Sequence, residues 1–236
     1  MEYNTQPREH TVGKTAEGVV TVDGREYPMA AELVATESVI HKSIREIAQR
    51  IADDYRHLTH RDTHSSNATD GATAPISDNN PLIVLSILKG SYIFTADLTR
   101  YLNDCGLPHV VDFFRATSYR GTTKSSGTVS LLEKPRFVNL EGKHVLIVED
   151  ICDTGRTLDC IIKEVREIYR PASLKLCVLA DKPGGRLVPV PLDYVCLTVP
   201  NQYVIGYGFE VNDRYRNFRH IFTLRPDYAK RFPSQL

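Results

Sequence analysis

Val145-Leu146-Ile147-Val148 runs straight into Glu149 and Asp150, and then into Asp153-Thr154-Gly155-Arg156-Thr157. A short, unbroken apolar run suits a strand buried on both faces. After the glycine-and-hydroxyl turn, Ile161, Ile162, Val165, Ile168 and Tyr169 recur at helical spacing. Strand, loop and helix in that order build a parallel sheet covered by helices, and such sheets bind ligands beyond the carboxyl ends of their strands. One stretch therefore constrains both the fold and the place of the site. The 153–157 loop can turn backbone N–H groups toward an anion at a helix start. Gly155 permits close backbone approach, and Thr154 and Thr157 add hydroxyl donors. The Walker A pattern is absent. Helix capping by Asp153 or Thr154 would account for one residue, but not for two acids closing a buried strand. A ligand with both a sugar and phosphates reconciles acids with an anion cradle. Carboxylates accept from vicinal ribose hydroxyls, attract Mg²⁺, and in the case of Asp153 can take a proton.

The remaining pattern agrees with an α/β chain. A short hairpin is expected at VVTVDGREY, turning at Asp23-Gly24. Residues 37–57 place Val39, Ile40, Ile44, Ile47, Ala48, Ile51 and Tyr55 on one helical face. Residues 58–80 lose periodicity and read as a mobile insertion. Leu82–Leu88 is a buried strand, followed by a helical stripe that ends at Gly106. His109–Ala116 and Leu174–Ala180 are further strands, 117–130 is a polar loop, and two short strands follow near 193–199 and 203–208.

Composition excludes several classes. Lys plus Arg and Asp plus Glu number 29 each, so no global field favours nucleic acid or an anionic membrane. No run approaches the roughly 18 apolar residues of a membrane span. Cys105, Cys152, Cys160, Cys177 and Cys196 are scattered without C-x-x-C spacing, which disfavours zinc and a disulfide framework and fits a reducing compartment. The chain ends Ser234-Gln235-Leu236, similar to the S-K-L peroxisomal address.

The V-L-I-V-E-D-I-C-D-T-G-R-T run closely resembles the phosphoribosyl-pyrophosphate (PRPP) motif of type I phosphoribosyltransferases, and among them the 6-oxopurine branch, the hypoxanthine-guanine(-xanthine) phosphoribosyltransferases. Other pieces follow in order. Leu88-Lys89-Gly90-Ser91 looks like the pyrophosphate loop, with Ser for its second Gly. Ser118-Tyr119 resembles the pair in the mobile loop that closes over the reaction. Lys182 matches the lysine on the purine 6-oxo group, Tyr203-Val204 the pair that stacks on and borders the base, and Arg216 an arginine near pyrophosphate. Glu210 stands where the family often has an Asp serving Mg²⁺ and flanking the base, and Arg156 replaces a more usual Lys. The likeness covers about 200 residues, all but the N-terminus and 58–80.

That resemblance implies a type I phosphoribosyltransferase fold, an α/β Rossmann-like parallel sheet with a small hood lobe. It implies one domain, its core about 37–200 and its hood from the N-terminal residues and about 181–236. It implies purine salvage, moving the phosphoribosyl group from PRPP to N9 of hypoxanthine, guanine and xanthine with release of pyrophosphate. Glu149 and Asp150 would hold the ribose hydroxyls, and Asp153, Thr154, Gly155, Arg156 and Thr157 the 5-phosphate. Lys89, Gly90, Ser91 and Arg216 would hold pyrophosphate, and Lys182, Tyr203, Val204 and Glu210 the purine. Mg²⁺ would be shared by Glu149, Asp150 and Glu210, with Asp153 as general acid/base. It implies a non-proline cis peptide between Leu88 and Lys89, and a homodimer or homotetramer. Gly206-Tyr207-Gly208-Phe209-Glu210-Val211-Asn212 and Asp23–Pro28 look most like xanthine-accepting members, for which a glycosomal address is familiar. Two alternatives stand beside this: a xanthine-preferring enzyme, and a non-enzymatic PRPP-sensing regulator, which should carry a basic patch.

Overall fold

The computed structural model describes residues 9–59, 76–118, 129–133 and 139–231. Most of 58–80, Tyr119, and the terminal Ser234-Gln235-Leu236 lie outside them. The N-terminal part forms β1 (Val12–Lys14), β2 (Val20–Val22) and β3 (Arg25–Tyr27), an antiparallel sheet in the order β1-β2-β3. The expected hairpin is there, with Val22 opposite Arg25 and Asp23 and Gly24 at positive φ. Next come β4 (Ala30–Ala35) and α1 (Glu37–Thr59). α1 buries Ile40, Ile44, Ile47, Ala48, Ile51 and Tyr55 along one stripe.

Then follow β5 (Leu82–Leu88), α2 (Tyr92–Asp104), β6 (His109–Ser118), β7 (Val129–Glu133), β8 (His144–Cys152), α3 (Arg156–Glu164), β9 (Ser173–Asp181) and β10 (Tyr194–Thr198). They form one six-stranded sheet in the order β10-β9-β8-β5-β6-β7. Five strands are parallel, and β7 adds antiparallel to β6. A polar loop is expected over 117–130. Instead β6 runs through Ser118 and β7 begins at Val129. Edge pairing between two short segments leaves little periodicity in sequence.

Burial on both faces explains the apolar strands. Leu82, Val84, Leu146 and Val148 join a core with α1 and α2. The alternate residues Ile83, Leu85, Val145 and Ile147 join a second core with Leu158, Ile161 and Ile162 of α3. α3 continues as a π-helical turn over Val165–Tyr169, so the expected helix is present with a wider last turn.

The chain closes with β11 (Val204–Ile205), β12 (Ile221–Leu224) and α4 (Pro226–Arg231). β12 pairs antiparallel with both β11 and β4, so the two ends of the chain share a small sheet. Its core is Val20, Val22, Tyr27, Ile205, Phe222 and Leu224. No helix of the described residues is long and apolar enough to cross a membrane.

Candidate active site

The sheet order fixes the crevice. From β8 the chain winds outward through β9 to β10, and from β5 it winds the other way to β6. The switch point lies between β5 and β8, where ligands bind in such sheets. The pairing of β5 with β8 ends at Ser86 and Val148, while β8 stays paired with β9 out to Cys152 and Asp181. Glu149 and Asp150 therefore sit where one neighbour has turned away.

The departing segment is the Lys89–Ser91 loop, and the Leu88–Lys89 peptide is cis, as the resemblance implies. Lys89 is half-exposed, with Nζ at 3.0 Å from each oxygen of Asp213. The Gly90 backbone lies against the Asp150 carboxylate, in the space a Cβ would fill. The Ser91 hydroxyl faces the core, 2.7 Å from Ser86 Oγ, and donates to the Ile87 carbonyl. Only the backbone of Ser91 is left to serve the loop.

Asp150 N–H donates to Glu149 Oε1 at 3.1 Å, and Ile151 N–H to Asp150 Oδ1 at 2.8 Å. Burial, and then the adjacent Asp150, push the Glu149 carboxyl well above the usual carboxylate range. A cation would relieve that cost. No group of three or more candidate ligands forms a metal cage among the described residues. Mg²⁺ does not need one, because it is commonly bound by one or two carboxylates plus substrate phosphates and water. The adjacent pair fits that mode.

Gly155 starts α3 at φ 82°, a left-handed conformation, and an added Cβ would run into the Val188 carbonyl. Gly155 brings no capping side chain, and Arg156 N–H makes only a long bond of 3.4 Å to Thr154 Oγ1, so the next N–H groups of the first turn are left for an anion. The segment 182–188 wraps this loop. Leu187 and Val188 N–H donate to the Thr154 carbonyl at 3.0 and 2.9 Å. Arg186 Nε donates to the Asp153 carbonyl at 2.9 Å, and its Nη2 to the Cys152 carbonyl at 3.0 Å and to the Asp181 carboxylate. Lys182 is buried, and its Nζ donates to Asp153 Oδ2 at 3.0 Å.

The opposite wall is the stretch from Tyr203 to Arg216. Tyr203 is 53% exposed, and Val204 and Phe209 are buried. Arg216 Nη1 donates to the Gly208 carbonyl at 2.7 Å, and Nη2 to Asp213 at 3.0 Å and near Glu210 at 3.9 Å. These walls enclose one cavity of about 490 Å³. Lys89, Gly90, Glu149, Asp150, Asp153, Thr154, Gly155, Thr157, Lys182, Tyr203, Val204, Glu210 and Arg216 all line it. Arg156 is exposed and, like Ser91, is not in the lining. Ser118 ends β6, while Tyr119 lies outside the described residues.

A model of the phosphoribosyl transferase domain matches residues 66–214. A hypoxanthine-guanine phosphoribosyltransferase from Crithidia fasciculata is 40% identical over 90% of this chain and 93% of its own length. The chain belongs to this family. Its fold is that of the type I phosphoribosyltransferases, and it is a transferase. A Trypanosoma cruzi hypoxanthine phosphoribosyl transferase, studied for the role of its C-terminal region in oligomeric state and activity, superposes with a TM-score of 0.75. It is 44% identical, covering 88% of this chain and 98% of that one. The T. cruzi enzyme in complex with the product IMP gives a TM-score of 0.72 at 43% identity, over 86% and 98% of the two chains.

Two residues that brace the cavity from outside its lining, Arg186 and Asp213, escape a sequence reading. The Pro183-Gly184-Gly185 turn after Lys182 is a signal that the chain bends back there, and it could have drawn attention to Arg186. Gly90→Ala should destabilise the fold by about 1–3 kcal/mol, the cost of overpacking, because the new methyl must displace the Asp150 carboxylate. Denaturant melts check it, and a stability equal to the parent's would mean the Asp150 carboxylate yields freely.

Proposed function

We propose that this chain is a purine-salvage enzyme that transfers the 5-phosphoribosyl group of PRPP to N9 of hypoxanthine, guanine and xanthine. The observation that carries the reading is the Lys182 Nζ to Asp153 Oδ2 contact at 3.0 Å inside the same cavity as the phosphate loop. A donor and an acceptor stand side by side there. A 6-oxopurine protonated at N7 presents the complementary acceptor and donor on one edge, O6 and N7–H.

In this reading the 5-phosphate rests on the 153–157 loop and the ribose hydroxyls on Glu149 and Asp150. The base lies against Tyr203 and Val204, with Lys182 donating to O6. Lys89, Arg216 and the backbone of Lys89–Ser91 hold the pyrophosphate as it leaves C1. Asp153 takes the N7 proton as N9 bonds to C1 with inversion, a general-base step. Mg²⁺, when bound by Glu149 and Asp150 with Glu210 on the facing wall, supplies charge neutralisation for the phosphates. The chain acts as one catalytic domain in a homodimer or homotetramer.

Steady-state kcat/KM with PRPP and each of hypoxanthine, guanine and xanthine tests the reading. Nucleotide should form from all three bases. No nucleotide from hypoxanthine or guanine would refute it, and turnover confined to xanthine would favour the xanthine-preferring alternative.

A further inference from the structure

Lys89 and Arg216 are far apart in the chain, yet one carboxylate holds both. Lys89 Nζ donates to both oxygens of Asp213 at 3.0 Å, and Arg216 Nη2 donates to Oδ1 at 3.0 Å. Arg216 Nε is buried without a hydrogen-bond partner. The Asp213 side chain is 64% exposed, so nothing apolar draws it there. The backbone sets its position. Val211 and Arg214 close a tight turn through mutual N–H to carbonyl bonds of 3.2 and 3.0 Å. Within and just after that turn, Asn212, Asp213 and Tyr215 have φ of 49°, 59° and 71°. This left-handed region costs an ordinary L-residue about 1–2 kcal/mol, and it is tolerated best by Asn and Asp. Exposed ion pairs return only about 0–1 kcal/mol of stability. Stabilising the fold is therefore a poor explanation for the turn, and occupation of the cation pair is a better one.

We propose that Asp213 is an internal counter-anion of the pyrophosphate subsite, bridging Lys89 and Arg216 until the diphosphate of PRPP displaces it. This rests on the role given to those two cations under Proposed function. A carboxylate has two oxygens to share between an ammonium and a guanidinium, whereas a diphosphate has more oxygens and more charge and outcompetes it. The exchange makes Asp213 a residue that sets anion affinity at this subsite. Any anion there binds more weakly by one common factor, the reciprocal of the fraction of sites that Asp213 leaves open.

Asp213→Asn keeps the size of the side chain and its tolerance of the left-handed backbone, and removes the charge. Calorimetry with Mg-pyrophosphate and with PRPP should show both binding about three- to tenfold more tightly to the variant, as expected for the loss of two competing exposed pairs. The KM for hypoxanthine should stay at the parent value. Asp213→Glu retains the charge and should not tighten either anion. Melting curves establish that each variant is folded. If Asp213 merely orients the two cations, Asp213→Asn weakens both anions. A weaker or unchanged affinity overturns the proposal, and so does equal tightening in Asp213→Glu. A parent protein that binds no PRPP would sink the Proposed function itself, and that result appears before any variant is made.

Discussion

Asp153→Asn should lower kcat by about 10²–10⁴, the usual loss when a general base is removed, with PRPP affinity close to the parent's. The two effects separate because of what holds the loop. Arg186 grips the backbone carbonyls of Cys152 and Asp153, and Leu187 and Val188 N–H grip that of Thr154. None of these bonds uses the Asp153 carboxylate. An asparagine amide oxygen can still accept from Lys182, now at 3.0 Å from Oδ2. The phosphate cradle therefore survives while proton acceptance is lost. Single-turnover kinetics beside a PRPP titration measures the two. A kcat within a few-fold of the parent, in a variant of equal stability, would remove Asp153 from the chemistry. A loss confined to PRPP binding would make it a phosphate-loop residue only.

What could be read in advance follows how local each signal is. The β8–loop–α3 unit was legible because its apolar run, its acids and its turn are contiguous, and because β5 and β8 are buried on both faces. The apolar run stops at Val148, but the strand continues to Cys152. A strand's end is set by its partner, and β9 remains in register as far as Asp181. β7 leaves no local signal for a related reason, since its strand character comes from pairing with β6. The individual contributions of Lys89, Lys182 and Arg216 were legible only through resemblance, as each is an unremarkable basic residue in its own sequence context. Asp213 was invisible, because its partner Lys89 is 124 residues away and its position depends on a left-handed turn. Arg186 is marked in the sequence only by the Pro183-Gly184-Gly185 turn before it, because its targets are mostly backbone carbonyls, which leave no mark of their own.

Lys182→Ala should reduce kcat/KM for every 6-oxopurine by about tenfold to over a hundredfold. The missing charge-assisted hydrogen bond to O6 is worth roughly 1.5–3 kcal/mol. Lys182 is buried, so its ammonium is given up by little competing solvent. The parent should reject adenine, since the 6-amino group donates as well and would face a cation with no acceptor to offer. Truncation relieves that conflict. Discrimination against adenine should therefore narrow even as overall activity falls. Xanthine should lose at least as much as hypoxanthine, because its anionic form gains more from a neighbouring cation. The loss also reaches Asp153, whose carboxylate has Lys182 as its partner at 3.0 Å. A part of the effect should then appear in kcat and not only in KM, as expected when a group acts in the transition state. Measuring both constants for hypoxanthine, guanine, xanthine and adenine on parent and variant separates these contributions. Equal losses for adenine and the 6-oxopurines would show that Lys182 does not read position 6. The donor facing the base would then have to be sought elsewhere on the cavity wall, where the partly buried Arg216 stands 3.9 Å from Glu210.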